Sequence, residues 1–560
     1  MLTDHFQDVA VMADHLMRWS AKNLNSNNTV GILILQVVLA AVVIDYGRML
    51  YLRFKMPPGP FPLPIIALQK HNSPVITFWI GRSATVWIND AWSASEILDK
   101  RAGLYSSRPR MVVFAELGAG QANLVNMYTW TQEQRDKWRA HRKLIHHGVG
   151  VQSVRKYRSF QNDESRIVAL DLLSKPADYV KSFERYATSV VSIIGFGRRV
   201  ASWDDPIITE VIATMHLAAD LNVPGKSFPM LMETFPWLSK FPDAIAPWKC
   251  GLGKKRGFHF FYALADEANK KAGHEGSFVK YLFSEREKYQ LKEEEISSLT
   301  GNLFGAGSDT SSSTLITFVL ACCAFPETLI PAWEELDRVV GPDRSPNFDD
   351  EANLPYIRAF VKEVFRWRSV AIIGGQPHAP TEDDYYNGYL IPKGTWTQGN
   401  VWAIHHNERD FPEPDRFNPN RFFKEDSSHR PFPTDRGYMT FGWGRRVCSG
   451  QVLAEQGTYI TIARLLWGFK IAKKTRPNGT VEEVDINAYT NGLNMRPVPF
   501  ECDITPRSAQ IAATMKREGE QALADLDQYK GESEYRMSTF YSRNDRAMNK
   551  YGNDEEVTAE

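Results

Sequence analysis

The longest apolar run, Val30 to Ile44, reads VGILILQVVLAAVVI and is broken only by Gly31 and Gln36. Its length falls short of the ~20 residues that cross a bilayer, but continuation to Leu52 reaches it. Asp45 and Arg48 then lie near one interface, where charged ends reach water. Arg48, Arg53 and Lys55 follow the run while Arg18 and Lys22 precede it. That bias places the body of the chain on the cytoplasmic side. A cleaved signal peptide fits poorly, because a long polar stretch precedes the run and no small-residue cleavage site follows it. We therefore expect a lumenal segment over 1–29 and a transmembrane anchor over 30–52; a buried core helix is the other reading of the run. Asn27-Asn28-Thr29 is a sequon, which makes Asn27 a candidate glycosylation site.

Prolines 57, 58, 60, 62 and 64 come next. Proline fixes φ and cannot continue a helix, so 53–64 reads as a stiff hinge. Two short β-like runs follow, Val75–Ile80 and Ala84–Ile88, and helical periodicity dominates afterwards. A long helix is expected over 293–324 and another from Gln451 to Leu466. No repeat or low-complexity linker interrupts residues 65–505, so they are expected to form one large domain, mainly α with small β-sheets. Within it, Val223 to Leu238 is apolar and proline-rich. It reads either as a buried loop or as a second patch that dips into a membrane and lines a substrate entrance. From Thr505 onward there are 8 Lys/Arg and 11 Asp/Glu with few large aliphatics. The extension over 506–560 is expected to be helical over 509–527 and disordered beyond.

Composition narrows the function. Aromatic residues are 12% of the chain, ample for a large core and an apolar pocket. Lys+Arg and Asp+Glu both number 66, which argues against nucleic acid as a partner. The five cysteines, Cys250, Cys322, Cys323, Cys448 and Cys502, are too few for a disulfide scaffold and show no CxxC spacing for structural zinc.

One cysteine stands apart. Phe441-Gly442-Trp443-Gly444-Arg445-Arg446-Val447-Cys448-Ser449-Gly450 holds Cys448 in a glycine-punctuated loop ahead of a helix. Glycines permit positive φ and close approach of a flat ligand. Backbone N–H groups in such a turn stabilise an anionic sulfur. The pattern Phe-x-x-Gly-x-Arg-x-Cys-x-Gly resembles the cytochrome P-450 family. The resemblance implies that family's fold, one haem domain behind the N-terminal helix, with haem b bound through Cys448 as its thiolate ligand. The remaining cysteines carry no motif.

Three further segments match the family in order. Ala306-Gly307-Ser308-Asp309-Thr310-Ser311 lies in the long helix, where Gly305 and Gly307 each weaken it by about 1 kcal/mol; a functional gain is the expected reason for them. A hydroxyl at Thr310 beside an acid at Asp309 suits proton relay, and these two are the catalytic candidates. Glu363 and Arg366 are three apart on one helix face. The resemblance adds Arg421, from Phe417-Asn418-Pro419-Asn420-Arg421-Phe422, as third member of a structural triad, although Asn420 stands where relatives often carry glutamate. Trp138 and Arg142 form a Trp-x-x-x-Arg on one helix face. With Arg446, His378 and Phe441 they are the candidate haem-contact residues.

By resemblance the pocket draws on Val112, Val113, Phe114, Leu117, Leu303, Phe304, Val370, Ile372, Ile373, Leu493 and Met495, an apolar set suited to a hydrophobic small molecule. No flavin or nicotinamide fingerprint is present, so electrons must come from outside the chain; the resemblance implies an NADPH–cytochrome reductase in the same membrane as their source. Arg139, Lys143, Arg430, Arg436 and Arg445 are its expected basic docking face. Segments such as Arg135 to Lys143 and Pro377 to Asp384 look like fungal members, many of which serve secondary metabolism, including terpenoid, polyketide and alkaloid routes. The expectation is an O2-dependent monooxygenase, single-pass in the endoplasmic reticulum membrane and facing the cytosol. Two rivals are a haem-thiolate dehydratase or isomerase and a non-catalytic haem-binding membrane protein.

Overall fold

The computed structural model describes residues 29–58, 73–80, 83–118, 120–205, 254–271, 276–423, 432–492 and 494–531, with short pieces of 207–242. Asn27, Cys250, Arg430, Leu493 and most of the Val223–Leu238 segment lie outside the described residues.

Helix α1, Thr29–Lys55, is long and apolar enough to cross a membrane. Leu33, Leu35, Val37, Val43, Ile44 and Phe54 are exposed on it, apolar surface that water does not favour. Its C-terminal end meets the folded body. Met56 is buried, and Thr77 N–H donates to Pro58 O at 3.1 Å.

Strands β1 (Val75–Ile80) and β2 (Ser83–Ile88) pair antiparallel. The hairpin β3 (Asp384–Tyr386) and β4 (Tyr389–Ile391) turns through Asn387 and Gly388, both at positive φ, the geometry a two-residue hairpin loop requires. Strand β5 (Trp396–Gly399) lies parallel to β2, opposing Trp396 to Thr85. The alternation of the early segment is thus completed by a strand some 300 residues downstream, which no local pattern announces. A last antiparallel pair joins β6 (Phe469–Lys473) and β7 (Cys502–Pro506).

Helices build the rest. They include α2 (Gln132–Val149), α3 (Arg158–Ser174), α4 (Tyr179–Phe196), α5 (Lys254–Lys270), α6 (Glu293–Ala324), α7 (Leu329–Val339), α8 (Pro355–Trp367), α9 (Gln451–Gly468) and α10 (Ala509–Asp525). Their ends follow sequence signals. Thr131 and Gln134 form a capping box at the start of α2, and Glu295 accepts the Lys292 N–H at the start of α6. Pro326 follows the end of α6.

Helix α6 runs through the centre, packed against α4, α5 and α9. Phe304 is fully buried on it, with its ring centroid 5.4 Å from Phe196 and 6.3 Å from Phe261. Helix α10 lies along α3 and buries Ile511, Met515 and Ala522. A second apolar cluster, with Val86, Ile88, Leu98 and Trp443, supports the sheet side.

Candidate functional site

Cys448 is set by a short, conformationally specialised loop. Its N–H donates to Phe441 O at 2.9 Å, and Gly442 and Gly444 adopt positive φ. At Gly444 a Cβ would meet Leu98 O at 2.3 Å, so only glycine lets the loop pack on the segment before it. The Cys448 side chain is exposed, yet the surface it exposes lines an internal cavity of about 360 Å³. Burial raises the pKa of the thiol, while the Gly450 backbone N–H and Arg142 pull it back toward the thiolate.

Three guanidinium groups line the same cavity. Arg142 donates to Ser449 Oγ at 2.7 Å and Val447 O at 2.5 Å. Arg446 reaches Ser106 O, Leu124 O and Met127 O at 2.7, 3.1 and 2.6 Å. Arg108, which no motif marks, donates to Val125 O, Gln376 O and Pro377 O at 2.9, 2.7 and 3.0 Å. Burial, with Arg142 beside it, pushes Arg108 down to about 9. Burial, with Arg108 and Arg142 nearby, likewise pushes Arg446 well down. Among the described residues none of the three pairs with a carboxylate. Cations stripped of water and set beside one another call for anions. The two carboxylates of a haem answer that need, and the Cys448 sulfur in the same cavity answers the need of its iron, so the residues present fit the group.

Trp138 and Phe441 line this cavity too. Arg446 Cζ lies 4.7 Å from the Trp138 ring centroid, and Phe441 packs 5.3 Å from Phe365. His378 also lines it, with Nδ1 donating to Tyr105 O at 2.9 Å. Burial, with Arg108 and Arg446 alongside, pushes its pKa down to about 3, so the ring is neutral at pH 7. The cation on that side is Arg108. Sequence reasoning misses it because a lone arginine in Ser107-Arg108-Pro109 has no partner at a diagnostic spacing.

Helix α6 forms the facing wall. Ala306 is exposed in mid-helix where it borders the cavity, and Thr310 Oγ1 donates to Ala306 O at 2.8 Å. Asp309 is not among the cavity-lining residues; its Oδ2 accepts from Asn494 Nδ2 at 2.8 Å. The two helix glycines have a packing reason. A Cβ at Gly307 would stand 2.3 Å from Val191 Cγ1 of α4, and one at Gly305 would stand 2.7 Å from Met215 Sδ. Packing against Val191 gives Gly307 a reason beside its place on the cavity wall, while at Gly305 the neighbour is the flexible Met215 thioether.

Glu363 and Arg366 are fully buried and doubly bonded, at 2.7 and 2.8 Å. Arg421 Nε reaches Glu363 Oε1 at 3.4 Å. Arg366 also donates to His405 O at 2.8 Å, and His405 Nε2 accepts the Met439 N–H at 2.9 Å, two residues before the cysteine loop. Burial, with Arg366 beside it, holds the His405 pKa well down, which leaves that nitrogen able to accept.

The apolar pocket set is largely displaced. Leu303 and Val370 line the cavity, whereas Phe304 packs into the helical core. Val112, Val113 and Phe114 join Met111, Ala115 and Met232 in a separate cluster, with Leu117 packed against it. The Glu233 carboxylate accepts the Val112 and Val113 N–H groups at 3.0 and 2.9 Å and holds that segment there. Ile372, Ile373 and Met495 do not line the cavity either. On the expected basic face, Arg445 is exposed, but Arg139 pairs with Asp136 at 2.9 Å and Arg436 with Glu455 at 2.6 Å.

Comparison with known proteins identifies the family and the fold. The Cytochrome P450 family model matches residues 51–500. A cytochrome P450 monooxygenase of Armillaria gallica is 33% identical over 512 residues, covering 86% of this chain and 96% of that protein. The monooxygenase macC of Penicillium terrestre is 32% identical over 509 residues, covering 84% and 93%. A zebrafish cytochrome P450 solved with progesterone shares the fold at a TM-score of 0.62 and 23% identity, covering 78% of this chain and 96% of that one.

Proposed function

Because the chain belongs to the cytochrome P450 family of haem-thiolate monooxygenases, we propose that it oxidises a hydrophobic small molecule, in fungal secondary metabolism, with electrons from an NADPH–cytochrome reductase. The observation that carries this reading is the placement around one cavity of the Cys448 sulfur and three arginines that have no acidic partner among the described residues, with Thr310 on its wall. When bound, haem supplies activation of dioxygen and insertion of one oxygen atom into an unactivated C–H bond.

The chain's own residues would do the rest. Cys448 would supply the sulfur ligand; burial raises its pKa, and the Gly450 N–H and Arg142 offset part of that rise. Arg108, Arg142 and Arg446 would hold the two carboxylates, and Trp138 braces Arg446 by lying beneath its guanidinium. The Thr310 hydroxyl, released from Ala306 O, would pass a proton into the cavity, and Asp309, protonated from solvent and turned away from Asn494, would replace it. Leu303, Val190, Val191 and Val370 give the cavity apolar walls, which favour a hydrophobic occupant and exclude water. Helix α1 would hold the enzyme in the endoplasmic reticulum membrane with its body in the cytosol. Arg445 and Lys143, with Arg139 and Arg436 in part, would present positive charge to the acidic flavin domain of the reductase.

The test is a pair of variants with reductase and NADPH. Cys448→Ala is expected to abolish activity and the red-shifted absorption of the reduced carbonyl complex. Thr310→Ala is expected to keep that absorption but separate electron use from product formation. Retained carbonyl absorption in Cys448→Ala would remove the basis of the reading. Deleting the gene and identifying the metabolite that accumulates would name the substrate.

A further inference from the structure

Asn494 sits in a turn that no motif marks. Thr490 N–H donates to Arg496 O, and Met495 N–H to Val370 O, both at 2.9 Å. Arg496 ties the same turn to α4 through Glu184 at 2.5 Å. Held from two sides, the turn fixes where the short Asn494 side chain can reach. Its amide donates to Asp309 Oδ2 at 2.8 Å, a contact across 185 positions of sequence. A carboxylate only accepts, so the NH2 end must face Asp309. Asn494 also lines the cavity, while Asp309 does not. The Thr310 hydroxyl is meanwhile held by Ala306 O. Each member of the acid–hydroxyl pair is therefore bonded to a neighbour instead of to the other. Only one of those neighbours, Asn494, is itself a side chain on the cavity wall.

We propose that Asn494 is the positioning residue for Asp309: it holds the carboxylate off the cavity and releases it when an oxygen acceptor on the bound molecule takes the same N–H. Proton supply then follows occupancy of the pocket. The occupant this favours is a hydrophobic molecule with one hydroxyl or carbonyl oxygen facing the 490–496 turn. The inference rests on the proton-relay reading of Asp309 and Thr310.

The test uses the haem-loaded full chain with NADPH, reductase and dioxygen, and no organic substrate. Reduced dioxygen then leaves as hydrogen peroxide, with two electrons and two protons, or as water, with four of each. The ratio reads proton supply. Asn494→Leu, close in shape but lacking the donor, is expected to shift the ratio toward water by about fivefold, the worth of one ordinary hydrogen bond. Asp309→Asn is expected to shift it toward peroxide, and Asn494→Gln to restore the parental ratio. A readout independent of turnover is the carbon monoxide stretching band of the reduced carbonyl complex, which senses charge on the cavity wall. It should move in Asn494→Leu and return in Asn494→Gln. Asn494→Ala, which also lacks the donor, serves if leucine disturbs folding. A parental ratio and band in Asn494→Leu, or a shift toward peroxide, overturns the role of Asn494 if Asp309→Asn still alters the ratio. A parental ratio in Asp309→Asn overturns the relay reading itself, and this inference with it.

Discussion

The guanidinium of Arg446 lies over the indole of Trp138, 4.7 Å from the ring centroid, and so joins the cysteine loop to helix α2. The contact stacks a buried cation on an aromatic face, where it is worth up to about 2 kcal/mol. It also fixes the direction in which the arginine can meet an anion. Trp138→Ala should therefore lower the haem retained per mole of folded protein by about tenfold, and Trp138→Phe by less. The absorbance ratio of haem to protein after gel filtration measures this, with circular dichroism confirming that the fold is intact.

Glu295 makes stability depend on acid. Burial opposes its charge, but His141 Nε2 at 3.2 Å, Lys137 Nζ at 2.7 Å and the Lys292 N–H at 2.9 Å hold its pKa down to about 2, from 4.5. A carboxyl whose folded pKa is depressed stabilises fully above the unfolded value and loses that contribution as pH falls through the folded one. Discounted for the solvent-facing Lys137, the effect is about 1–2 kcal/mol. Glu295→Gln should melt lower than the parent at pH 7, and the gap should close between pH 4.5 and 2. Thermal melts across that range decide it; a gap independent of pH would assign the loss to packing.

The Glu363–Arg366 pair is fully buried, so removing one partner leaves a charge stranded. The expected cost is about 3–5 kcal/mol. Glu363→Gln should yield little soluble protein. Arg421→Lys, at the half-open end of the triad, should cost less. Urea midpoints of the soluble fractions compare them.

Truncation after Pro506 removes α10, whose Ile511 and Met515 are buried, together with Leu526 just beyond it. It also removes Glu518, which accepts the Ser345 N–H at 3.1 Å. At about 1.5–3 kcal/mol for each large side chain, the loss is about 5 kcal/mol. A lowered melting temperature, with an unchanged carbonyl spectrum in whatever remains folded, is the expected result.

Helix α6 was readable because its signals are local: three glutamates open it, Pro326 follows its end, and apolar positions run between. The cysteine loop was readable for the same reason. The pocket was not. Val112 to Phe114 are as apolar as Leu303 and Val370, and nothing in composition says that the Glu233 carboxylate holds them in a cluster of their own. Gly307 shows the other side of this. Its cost to the helix was visible in sequence, but its packing partner lies on another helix, where Val191 Cγ1 would stand 2.3 Å from any Cβ at that position.

The order of residues by itself determined the main helical elements, the apolar N-terminal run, the cysteine loop and the place of Asp309 and Thr310 side by side on α6. Those depend on interactions a few residues apart, which a chain writes directly. Tertiary structure decided that Arg108 joins Arg142 and Arg446, that β5 completes the first sheet, and that Asn494 meets Asp309. Each of these joins side chains or strands far apart in the chain, and such pairings exist only once packing has set the distances.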